Sequence, residues 1–185
     1  MTRIFLTLAS VNALGLVASF LFGVVSMLQG GVTNADDPIF QIHFWVGLAT
    51  ALCTLLVHCI IFTYFLGTGR WVKEVGLAYS LPDAPLPKLT RELKRATFPP
   101  ALFAMLITIA TVAAGAGNQT KAWPWWVHGS LSLFALAINA WAFAVEYRNV
   151  NINAAVIDNV LREVDRIRAE RGLPTNAEAL QQDQV

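Results

Sequence analysis

Three histidines, His43, His58 and His128, carry most of the chemistry this chain can offer. Each lies inside a run with almost no charge. An imidazole among apolar residues has two main uses: its neutral nitrogen binds a transition metal, or the ring takes and gives a proton near neutral pH. An ionisable side chain inside a membrane-length apolar segment marks a functional site by default, because burying it in lipid is costly.

At roughly 100° per residue, His43, Gly47, Thr50, Thr54 and His58 fall on one narrow stripe of a helix. His128, Ser132, Ala135, Asn139 and Glu146 form a matching stripe on a second. Each of His43 and His128 follows an aliphatic residue and precedes a small residue four positions on, Gly47 or Ser132. Both open their apolar runs beside aromatic residues. A single histidine beside tryptophan at a membrane boundary would be an ordinary amphipathic residue. Two at matching depth on matched stripes favour an inward-facing pair that shares a ligand.

The elements that must position these residues follow from composition. Of 185 residues, 56% are hydrophobic and 14% charged, against about 25% charged in a soluble domain. Four long apolar runs, at about 4–28, 39–66, 97–115 and 123–147, predict an all-α membrane four-helix bundle. The first run is too long for a signal-peptide core and reads as a retained helix. Thr33-Asn34-Ala35 is a weak imitation of a cleavage site. Gly67-Thr68-Gly69 reads as the end of the second run, Trp71 to Tyr79 as a short interfacial helix, and 81–87 as an extended spacer. Pro99 and Pro100 are expected in the first turn of the third run, where proline is tolerated. Gly117 to Lys121 reads as a loop, and Trp123, Trp125 and Trp126 as an aromatic belt.

Arg70, Lys73, Lys88, Arg91, Lys94 and Arg95 lie on the same side as the charged C-terminal segment, while the other two loops hold one lysine. The positive-inside rule therefore predicts that both termini are cytoplasmic, in a cell inner (plasma) membrane. Residues 1–147 make the transmembrane domain. Residues 148–172 predict a cytoplasmic amphipathic helix with Ile157, Val160, Val164 and Ile167 on its seam, packing on 70–95 or on a partner. Residues 173–185 read as a disordered tail. Net charge of +1 gives no argument for nucleic acid. Cys53 and Cys59 point about 120° apart and read as small core hydrophobes.

The second and fourth helices run in the same direction, so His43 and His128 lie at similar depth near the outer face on helices placed diagonally. Two such imidazoles, with Gly47, Thr50, Ser132 and Ala135 leaving room for a flat group, suit the axial ligation of one haem b. On these residues the chain resembles membrane b-type cytochromes of four-helix type. That resemblance implies electron transfer, with quinone and a protein partner or second copy as candidate partners beside lipid. In some of them one helix carries two histidines 13 or 14 residues apart; here His43 and His58 are 15 apart, and no second histidine follows His128.

His58 lies about 22 Å further along its helix and cannot share that iron. Three roles stay open for it: a hydrogen bond to Asn12, a second haem site opposite Met105, or a quinone-site or proton-relay histidine with Thr54, Asn139 and Glu146. Glu146, next to Arg148, reads first as a surface carboxylate. Two other functions compete: a cofactor-free scaffold binding partners through its C-terminal helix, and a small transporter using the polar stripe.

Overall fold

The computed structural model describes residues 1–30, 36–83 and 85–182; Thr33-Asn34-Ala35 and the last three residues of the tail lie outside them. The chain is all-helical: α1 (Thr2–Leu28), α2 (Pro38–Ala78), α3 (Leu86–Gln119), α4 (Trp125–Glu170) and the short α5 (Asn176–Gln182). Four of these are long and apolar enough to cross a membrane. Each of the four packs on its neighbours in a ring, α1 on α2, α2 on α3, α3 on α4 and α4 on α1, while α2 and α4 meet only sparingly as a diagonal pair.

The helices are longer than the apolar runs. Gly67-Thr68-Gly69 does not break α2, which continues to Ala78. A glycine in a helix interior costs about 1 kcal/mol relative to alanine, and tertiary contact outweighs that here. Thr68 receives a hydrogen bond from Asn153 Nδ2 at 3.0 Å, and Val72 is buried with Val156, Val160 and Val164. The separate interfacial helix expected at 71–79 is therefore the end of α2. Likewise α4 runs unbroken through the expected span and the C-terminal helix. Its apolar face packs on the end of α2 and, through Leu86 and Leu89, on the start of α3. These extensions form a three-helix stalk beyond the apolar bundle.

Pro99 and Pro100 sit in the interior of α3, not in its first turn. α3 continues through Gly117 to Gln119, into the expected loop. The tail is not wholly irregular: Thr175 and Glu178 form a reciprocal capping box at the start of α5, and Asp165 holds Asn176. Each long helix ends at a left-handed residue, Gly30, Ser80, Lys121 and Gly172 in turn. Asp37 caps α2 by accepting from Phe40 N, and it also accepts from Ser26 of α1, which fixes the α1–α2 turn.

The two ends of the bundle are packed differently. Toward the stalk, Phe5, Val57, Ile61, Phe65, Leu93, Phe143 and Val150 fill the interior. At the other end, a cavity of about 1060 Å³ opens between the helices. Trp45, Trp123, Trp125 and Trp126 are exposed at that end, and Trp45, Trp125 and Trp126 also line the cavity. Cys53 and Cys59 also face outward. They are not core residues, because the inward stripe of α2 is taken by Thr50, Thr54, His58 and Ile61.

Candidate functional site: paired histidines at a cavity

His43 and His128 face each other across the bundle, with ring centroids 5.9 Å apart and planes at 72°. They come from the diagonal helices α2 and α4, and both line the cavity. The two rings are held in the same way. His43 Nδ1 lies 2.8 Å from the backbone oxygen of Ser19 on α1. His128 Nδ1 lies 3.0 Å from the backbone oxygen of Thr111 on α3.

In each case a glycine stands four residues after that carbonyl. In a helix, the side chain at i+4 flanks the carbonyl of residue i, so a glycine there exposes the oxygen. A Cβ on Gly23 would lie 2.8 Å from His43 Cε1, and one on Gly115 would lie 3.1 Å from His128 Cε1. The pairs Ser19/Gly23 and Thr111/Gly115 are thus matched cradles for an imidazole edge.

A carbonyl only accepts, so each Nδ1 carries the hydrogen and donates it. In the neutral ring, Nε2 then holds the free lone pair, the tautomer a metal-binding histidine shows when its other nitrogen is anchored. Neither Nε2 has a hydrogen-bond partner among the described residues.

The expected neighbours converge on the same place. Gly47, Thr50, Ser132 and Ala135 all line the cavity. Gly47 also admits Ser19, whose Oγ would lie 2.9 Å from a Cβ there. Gly15 admits Thr50 in the same manner. The small stripe of α1 therefore serves close helix approach as well as the cavity wall. Ser132 donates to His128 O. Among the described residues no cluster of three or more histidine, cysteine or acidic side chains is placed to hold a bare metal ion.

His58 does not line this cavity. It is fully buried and stacked on Phe143 with centroids 5.1 Å apart. Its Nδ1 is 2.7 Å from Glu146 Oε1 and its Nε2 3.1 Å from Asn139 Oδ1. Both ring nitrogens are engaged by protein groups. Asn12 does not bond His58 either. It donates to Thr50 O and accepts from Thr54 Oγ1. Glu146 is not a surface carboxylate but fully buried. It shares the inward stripe with Asn139, whereas Arg148 lies on the exposed side.

The carbonyl anchors were not read from sequence, since a backbone acceptor has no letter of its own. A signal did exist in the two glycines, each four residues after a hydroxyl residue in the helix preceding each histidine. The α2 series His43, Gly47, Thr50, Thr54, His58, Ile61, Phe65 and Thr68 recurs on α4 as His128, Ser132, Ala135, Asn139, Phe143, Glu146, Val150 and Asn153, at identical spacings. The bundle is thus two similar hairpins, each giving one histidine to the cavity. Comparison of the chain with protein-family models, curated proteins and solved structures finds no match.

Proposed function

We propose that this protein is a membrane haem b protein for electron transfer, a cytochrome subunit exchanging electrons between quinol and a protein partner. The observation that carries the reading is the facing pair His43 and His128, each with Nδ1 tied to a neighbouring backbone carbonyl and Nε2 free. His43 and His128 would hold the haem iron between them, and their ring centroids lie 5.9 Å apart. The cavity, about 1060 Å³, lies just above the usual range for a small-molecule site, about 300–1,000 Å³, and its wall is mostly apolar.

Haem bound there would supply one-electron redox chemistry. The chain's own contribution is to fix both imidazoles in one tautomer, to keep charge away from the cavity and to exclude water with Leu16, Phe20, Leu133 and Leu136. The charge bias of the loops supports an inner-membrane protein with both termini cytoplasmic and the histidine end near the outer face. A scaffold function through the C-terminal helix is less well supported, since the apolar face a partner would use is covered by α2.

The test is an absorption spectrum of the purified protein in detergent, oxidised and then reduced with dithionite. A Soret band that shifts on reduction is expected after expression with ample haem. His43→Ala and His128→Ala should each abolish it, and His58→Ala should keep it. Absence of the band in the wild-type protein would overturn the reading.

A further inference from the structure

The pair His58 and Glu146 has no part in the site above. Asn139 determines how many protons it holds. Asn139 Nδ2 donates to Ala135 O at 2.8 Å and to Thr108 Oγ1 at 3.2 Å. Thr108 has already given its own hydrogen to Ala104 O. The amide orientation is therefore fixed, and Asn139 Oδ1 must accept from His58 Nε2–H. The hydrogen in the 2.7 Å contact between His58 Nδ1 and Glu146 Oε1 is then the single mobile one. With it the pair is neutral, whether it sits on nitrogen or oxygen. Without it the pair is a neutral imidazole beside a carboxylate, net −1. With one more it is an imidazolium beside a carboxylic acid, net +1.

A second observation shows where protons would come from. Glu146 Oε2 is buried without a hydrogen-bond partner, and so is Asn153 Oδ1. The two residues lie two helical turns apart on one face of α4, about 10 Å along its axis toward the stalk. Asn149 stands between them, donating to Thr97 Oγ1 at 2.9 Å. Buried polar oxygens left without protein partners mark places for internal water. In the opposite direction the route ends at Asn139, an amide with every bond committed.

We propose that His58 and Glu146 form an intramembrane proton-binding site, loaded from the stalk side along the polar row of Asn149 and Asn153. The site stands on this network alone and does not require haem. Its neighbours leave the charge to the pair itself. α1 presents Phe5, Ala9 and Asn12, and α3 presents Thr97, Ala101, Ala104 and Thr108, all buried and none titratable. Tyr64 on α2 packs at the edge of the same layer, while Arg3, Arg95 and Arg148 are exposed. A charge at the paired histidines, about 22 Å away along α2, changes proton affinity here only about three- to fourfold at an effective dielectric of about 20.

The experiment is nitrogen NMR of full-length protein in lipid nanodiscs, labelled with ¹⁵N-histidine, with His58 assigned by its loss in His58→Gln. The His58 ring signals should respond to the external pH. Their hydrogens should exchange with D2O far faster than amides of the packed core. Glu146→Gln should alter that response and leave the His43 and His128 signals in place. Asn153→Leu, which fills the route without touching the pair, should slow exchange by about tenfold or more. Signals indifferent to external pH, or exchange unaffected by Asn153→Leu, would overturn the proposal and leave a sealed polar latch. The Soret experiment is independent, so either result can fail without the other.

Discussion

Gly23 and Gly115 decide whether the histidines can be where they are. The Cβ of Gly23→Ala would come within 2.8 Å of the His43 ring, and that of Gly115→Ala within 3.1 Å of the His128 ring. The first distance is below any real contact, so His43 must move; the second asks for a shift of a few tenths of an ångström. Haem titration of the two variants should show a loss of affinity of about 10–100-fold for Gly23→Ala, the usual cost of disturbing an anchored ligand. Gly115→Ala should lose less. Equal and negligible losses would mean that the ring positions do not matter to binding. At this scale the sequence was legible for inward-facing side chains and silent on backbone partners. The wheel that aligned His43 with His128 also placed Glu146 on the inward stripe, but the adjacent Arg148 suggested a surface position. Depth along a helix cannot be judged from one charged neighbour when the two residues point apart.

The helices themselves obey their end signals more than their apolar lengths. Ser80 and Lys121 hold left-handed φ values of 56° and 59°, positions that Gly30 and Gly172 fill at the other two long-helix ends. A left-handed non-glycine residue costs roughly 1–2 kcal/mol. Ser80→Gly and Lys121→Gly should therefore each raise stability by about 0.5–1 kcal/mol, after the added entropy of the unfolded chain. Thermal unfolding in detergent should show a higher Tm for both. The stalk offers a second measurement. Val160 is buried between α2 and α4, and Val160→Ala should destabilise by about 1–2.5 kcal/mol through the cavity it leaves. Limited proteolysis should then cut the stalk before the bundle. The stalk escaped the sequence reading because Gly67-Thr68-Gly69 looks like punctuation. Its cost is local, whereas the contacts that offset it, Asn153 with Thr68 and the valines with Val72, come from residues far along the chain. The apolar seam of 157–167 was visible, and so was the 70–95 segment as one of its two candidate partners. The capping box at Thr175 and Glu178 was also in plain letters and went unread.

For the whole molecule, orientation is the property that loop charge predicts and that labelling can check. With Cys53 and Cys59 replaced by alanine, a cysteine at Lys121 should react with an impermeant reagent added outside intact cells, and one at Arg171 should not. The reverse pattern would invert the topology. The length of α4 then bears on the proposed electron transfer. Its 46 residues rise about 69 Å at 1.5 Å per residue. His128 lies in its first turn, so some 60 Å separate the paired histidines from the stalk tip. Electron tunnelling dies away over a small part of that distance. A redox partner gripping the charged tip around Arg166 and Glu170 would be held by the protein yet out of electrical reach of it. The stalk can tether a partner or set spacing from the membrane, and under the proposed function electrons would pass nearer the tryptophan-bearing end.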